Sequence, residues 1–139
     1  MTAGRLRRFV LTALAIAIAA CARTMPDHDN RIFTAVPVAK LSAADLVRTF
    51  TDDPSGAADR FVGRAIEVSG TVRDLADPAS MPQAFLLHAG ETGPQVHISL
   101  HEDRATEMLK GLANGQRATF RCFCEGARDG IQLKSCVVP

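Results

Sequence analysis

The chain has 139 residues, 47% of them apolar, which suits one domain with a modest core. Its 16 Lys and Arg stand against 15 Asp and Glu, a formal charge of +1, and it has no Trp and no Tyr. That balance excludes the broad basic excess that holds a polyphosphate backbone.

Arg5, Arg7 and Arg8 precede an uncharged apolar run of 12 residues, Phe9 to Ala20. A membrane-spanning helix needs roughly 20 residues, and a buried core helix would show a polar face, whereas this run offers only Thr12. The stretch fits the apolar region of a secretory signal peptide. It closes on Ile18-Ala19-Ala20-Cys21, which resembles the lipobox read by the bacterial lipoprotein signal peptidase. The expectation is a signal peptide over residues 1–20, cleavage before Cys21, and acyl chains, palmitate among them, on that cysteine. Ala22 rather than Asp after the cysteine implies, by the sorting rule for such proteins, an outer-membrane anchor facing the periplasm. Ala20-Cys21-Ala22 also reads as A-x-A, so ordinary cleavage after Ala22 stays open. Loss of three arginines leaves 13 basic residues against 15 acidic ones, a formal charge of about −2.

Residues 21–40 are polar and punctuated by Pro26 and Pro37, and read as a tether between lipid and domain. Asp27, His28 and Asp29 within it are expected to be solvated rather than to hold a metal. Ser42 with Asp45 forms a weak capping box ahead of Leu46, Val47 and Phe50, predicting a helix over Ala43–Asp52. Pro54 and Gly56 interrupt it, and a short second helix, Ala57 to Phe61, ends at Gly63. From Ala65 the period is two: Ile66, Val68, Gly70 and Val72 share one face of a strand, with a bend or bulge at Gly70. Asp74 to Gln83 is a loop, Ala84 to His88 a second strand, Gly90 to Pro94 a turn, and Val96 to His101 a third strand. Ala105, Met108, Leu109 and Leu112 return to helical spacing over Glu102–Leu112. Arg117 to Cys124 and Ile131 to Val138 make two more strands, separated by the hairpin signal Asp129-Gly130.

Helix, three strands, helix, two strands is the plan of the OB-fold, a five-stranded, partly open Greek-key barrel with a helix between its third and fourth strands. A split α+β sandwich accommodates the same order. Ala57 through Val72 resembles the opening of the tRNA_anti-like family of OB-fold domains, and Leu112 to Gln116, Cys124-Glu125-Gly126 and Leu133 to Cys136 resemble its end. The similarity spans roughly Leu41 to Val138, so the domain is expected over residues 41–139. Family members are small bacterial proteins, often exported. The third-strand cysteine of many of them is absent, because Val96-His97-Ile98 stands there.

The resemblance also implies a disulfide between Cys124 and Cys136. A two-residue turn at Asp129-Gly130 sets Cys124 opposite Ser135 instead; an extra loop residue or a bulge sets it opposite Cys136. Cys122 reads as a small buried hydrophobe. His97 and His101 share a predicted outward strand face but lie about 13 Å apart, too far for one metal ion. Neither a metal nor a cofactor is expected. No serine sits in a nucleophile elbow and no Gly-rich phosphate loop follows a strand, so an enzyme is not expected.

On an OB-fold the usual site is the face of the second and third strands, flanked by the loops after the first strand and between the last two. That places His97 and Ser99 on the floor and Arg73 and Arg128 at the rim, for a small ligand, a glycan or an envelope protein. A structural accessory of an envelope complex is the alternative. Phe50, Phe61, Phe85 and Phe120 read as core, leaving Phe33 and Phe123 as candidates to stack bases. With that poverty of aromatics and the acidic balance, the sequence argues against single-stranded nucleic acid.

Overall fold

The computed structural model describes residues 28–75 and 84–139; the signal peptide expected over residues 1–20, Cys21 and most of the loop expected over Leu75–Gln83 lie outside the described residues. Ser42 accepts the N–H of Asp45 and starts α1 (Ala43–Asp52), which buries Ala43, Leu46 and Phe50. Helix α2 begins at Pro54, not Ala57 as expected, and runs to Phe61. Proline is tolerated at the first helical position, where its missing N–H would have no partner. Asp53 caps that end, and its carboxylate lies where a Cβ on Gly56 would be.

Five strands close the barrel: β2 (Ala65–Arg73), β3 (Ala84–His88), β4 (Val96–Leu100), β5 (Arg117–Ala127) and β6 (Ile131–Val137), with α3 (Glu102–Lys110) between β4 and β5. The order around it is β2-β3-β4-β6-β5, and β5 returns to β2 over Ala65↔Phe123 to Thr71↔Arg117. Only β4 and β6 run parallel within the ring. This is the OB-fold topology. Strand β2 reaches two partners because it bends: its far end, Thr71 to Arg73, pairs with β3. Gly70 sits at that bend, and a Cβ there would meet Ala43 and Leu87 at 3.2 and 3.3 Å. Inward residues Ile66, Val68, Val72, Phe85, Leu87, Ile98, Phe120 and Leu133 form the core under α1 and α2.

The tether assigned to residues 21–40 is docked onto the barrel from Asp29 onward. A 3-10 turn, Asn30–Phe33, buries Ile32 against Ala65, Phe123 and Val137 on the outer face of β2, β5 and β6. The Asp29 N–H donates to Ser135 Oγ at 3.0 Å. The Arg31 guanidinium holds the Asp29 carboxyl below the usual carboxylate range. His101 is fully buried rather than on an outward strand face. Its Nδ1 accepts the Asp103 N–H at the start of α3, which leaves Nε2 to donate to Asn30 Oδ1 at 3.0 Å. The segment then adds a short strand, β1 (Lys40–Ser42), parallel to β2. Phe123 is therefore core as well, covered by Ile32, whereas Phe33 remains 39% exposed.

The disulfide joins Cys122 to Cys136, and Cys124 is the free, buried thiol, so the expected Cys124–Cys136 bridge is corrected. The cause is the register of the β5–β6 hairpin. Its loop is three residues, Arg128-Asp129-Gly130, and pairs Ala127 with Ile131. Lengthening on that side draws β5 the opposite way from the slip the bridge to Cys124 required. Two bulges then offset one another. Glu125 is the extra residue on β5, and Ser135, at φ 54°, is the extra residue on β6. Between them Cys124 faces Leu133, and beyond them Cys122 reaches Cys136.

The bridge closes a short loop, so a Cys122→Ala/Cys136→Ala double variant is expected to lose about 3 kcal/mol of stability, read from denaturant unfolding. Peptide mapping without reductant should recover the two half-cystines linked, with Cys124 in a free thiol. Burial pushes that thiol up to about 11 from 9.0. The unfolded chain releases its proton first, so stability is whole below pH 9 and falls as the pH rises towards 11. Alkylation followed by mass spectrometry at pH 8 should label Cys124 only once the protein is denatured.

Candidate functional site on the outer barrel face

Strand alternation turns every second residue outward, and the pairing register lines these residues up across the barrel. Arg73 on β2 pairs with Leu86 on β3, Leu86 with His97 on β4, and His97 with Gln132 on β6. One step along, Ala84 pairs with Ser99, and Lys134 Nζ donates to Ser99 Oγ at 3.4 Å. The predicted residues Arg73, His97 and Ser99 thus share one face, and Arg128 lies in the loop that ends it.

They do not converge on one pocket. Three strand spacings of about 4.8 Å separate β2 from β6 along this face, so exposed Arg73 stands at the far edge from Arg128. A groove of about 340 Å³ lies at the hairpin end, lined by Glu125, Arg128, Asp129, Gln132 and Lys134 together with the backbone of Gly126 and Ala127. The Gln132 side chain donates to the Arg128 carbonyl at 2.9 Å, and the Arg128 N–H donates to Gly130 O at 2.8 Å, which fixes the loop. Gly130, at φ 102°, presses on β4: a Cβ there would come within 2.7 Å of both Gln95 O and the His97 ring. His97 is therefore a wall held by the loop rather than an open floor. Glu125, turned out by the bulge, leaves Oε2 buried and without a hydrogen-bond partner.

Two cations, Arg128 and Lys134, face two carboxylates, Glu125 and Asp129, so the groove carries no net charge. It offers donors and acceptors side by side. Among the described residues no cluster of three or more His, Cys, Asp or Glu is placed to hold a metal ion. His88 pairs instead with Glu91 at 3.5 Å.

Sequence reasoning placed Glu125 only within the flanking loop Glu125 to Asp129, and missed Gln132 and Lys134. The alternation of Gln132 and Lys134 with Ile131 and Leu133 marks them as outward-facing. Their place beside His97 and Ser99 follows only from the parallel pairing of β4 with β6, which no local pattern carries. Glu125 reaches the groove through a bulge, and the hairpin signal is silent on that.

Comparison with solved structures returns a lipoprotein of Klebsiella pneumoniae to which nucleic-acid binding is ascribed. It has a TM-score of 0.56 and 16% identity, covering 80% of this chain and 97% of that one. At that identity the likeness is one of fold. The OBody AM1L10 bound to hen egg-white lysozyme superposes with a TM-score of 0.39 at 14% identity over 56% of this chain and 80% of that one, too remote to carry an argument. No curated protein matches the sequence. The family model described as tRNA_anti-like matches residues 1–137, nearly the whole chain including the barrel with its hairpin groove, and the protein belongs to the tRNA_anti-like family of OB-fold proteins.

Proposed function

We propose that the protein is an exported, lipid-anchored binding module of the cell envelope, without catalytic activity, whose hairpin groove takes a small, uncharged, hydroxyl-rich ligand such as a glycan. The observation that carries this reading is the charge-balanced groove itself, in which Arg128, Gln132 and Lys134 supply donors and Glu125 and Asp129 supply acceptors. A phosphate would meet Glu125 and Asp129 as well as the cations. Lys134 donates to Ser99, and an ammonium in that role does not draw off the hydroxyl proton as activation of a nucleophile requires.

Anchoring rests on the lipobox-like Ile18-Ala19-Ala20-Cys21. The fold shared with a lipoprotein is consistent with it. The same relative makes single-stranded nucleic acid the competing ligand. Stacking of bases requires aromatic faces along a positive groove. Among the described residues the one exposed phenylalanine, Phe33, lies beside His101 at the opposite end of the barrel from the hairpin. The alternative role, a structural accessory in an envelope complex, is favoured by an apolar groove at that same end, lined in part by Phe33, Met108 and Val138.

Intact mass of protein recovered from its envelope should show cleavage before Cys21 and acyl chains upon it. Titration of that protein with N-acetylglucosamine oligomers and peptidoglycan fragments, followed by NMR, should shift the resonances of His97, Ser99 and Gln132. Lys134→Ala should weaken that binding about tenfold, the loss of one charge-assisted hydrogen bond. Binding of oligothymidylate at low salt that survives Lys134→Ala and disappears with Phe33→Ala would sink the glycan reading in favour of nucleic acid.

A further inference from the structure

We infer that the groove at the α3 end of the barrel is the face on which the anchored protein rests on its own bilayer; this builds on the lipid anchor proposed above. The groove measures about 410 Å³ and is lined by Phe33, Met108, Val138 and Pro139 together with the charged side chains of Arg104, Glu107 and Arg121. Phe33 is 39% exposed and Val138 56%. Among the described residues five large apolar side chains are exposed: Phe33, Val36 and Val38 on the docked N-terminal segment, Val138 in the groove, and Val62 just before β2.

The length of chain ahead of this face selects the occupant. Six residues lie between Cys21 and His28, and the seven Cα–Cα steps they make span at most about 25 Å when fully extended. From Asp29 the chain is pinned to the barrel by the Asp29–Ser135 and Asn30–His101 hydrogen bonds and by buried Ile32. The lipid therefore cannot lie far from Phe33. A second copy or a protein partner would have to compete with a bilayer that is always within reach. The side chains also suit an interface. Arg104 lies over the Phe33 ring at 5.3 Å and Arg31 over the Phe123 ring at 5.4 Å, pairing apolar surface with charges that reach the headgroups.

The consequence is an orientation. Strands β4 and β6 run parallel, and both finish at this end. The seven residues of β6 carry the hairpin groove about 20 Å farther from the membrane, facing the aqueous compartment.

The chain has no Trp, so one introduced indole is a sole reporter. Acylated full-length Phe33→Trp protein is reconstituted into phosphatidylcholine vesicles containing lipid brominated near the headgroup. A Thr92→Trp variant, in the exposed turn between β3 and β4 at the opposite end, serves as the control, and Val138→Trp reports the same face should the substitution at position 33 disturb packing. Phe33→Trp and Val138→Trp emission is expected to be quenched at least twofold and Thr92→Trp emission to be unchanged. Equal quenching of all three variants, in protein whose acylation and vesicle association have been verified, overturns the inference. So does shielding of positions 33 and 138 that depends on protein concentration and not on bromine, which gives the face to a second copy. A Cys21 without acyl mass overturns the anchor and the docking together, and is read before any vesicle is made.

Discussion

The register of the β5–β6 hairpin governs this molecule more than any other single constraint. The three-residue loop draws β5 back by one residue, the bulge at Glu125 draws it back by one more, and the bulge at Ser135 returns one. Each extra residue is turned out of the alternation, and each lands at a place of consequence. Glu125 presents a carboxylate to the hairpin groove. Ser135 accepts the Asp29 N–H and ties the N-terminal segment to the barrel. Beyond them the ladder brings Cys122 to Cys136 inside the core. A one-residue slip would reverse the facing of every side chain on β6, exposing Leu133 and undoing the bridge, the groove and the docking site at once.

The N-terminal segment gives the barrel a polarity. Its contacts are few but all buried or half-buried: Ile32 over Ala65, Phe123 and Val137, and Asn30 against His101. His101 serves two elements, accepting the first-turn N–H of Asp103 while donating to Asn30, so the start of α3 and the docking of the segment are secured by one ring. The Cys124 thiol and the disulfide lie in the barrel core between this end and the hairpin groove. The groove lined by Phe33 and Val138 lies at the segment's end and the charge-balanced polar groove at the other. That separation underlies both functional readings: a barrel moored at one end and open at the other.

How much was legible depended on the range of the physics involved. The amphipathic spacing of Leu46 and Phe50, the alternation from Ile66 to Val72 and the helical return at Ala105 and Leu109 each follow from neighbours within about two turns or one strand. All three elements stand where the pattern puts them. The order of those elements was enough to indicate an OB barrel. Strand alternation, a local property, turns Arg73, His97 and Ser99 to one face, but the pairing order keeps Arg73 away from the hairpin groove. The short β1 was not legible, since a three-residue strand exists only by pairing with Glu67, Val68 and Ser69. Nor was the burial of His101, a polar residue acceptable inside only because Asn30, 71 positions earlier, accepts its proton.

What the sequence determined by itself was therefore the kind of parts and their order: an apolar run that stops before a cysteine, two short helices, five barrel strands with a helix between the third and fourth, and the family to which such a chain belongs. These rest on periodicity, capping chemistry and composition, which act between near neighbours. Tertiary structure decided which cysteine is bridged, which residues stand beside Ser99, and whether residues 29–42 drift or dock. Each of those depends on a one-residue choice of register or on a contact between distant segments, and the free-energy differences involved arise only once the whole barrel has closed.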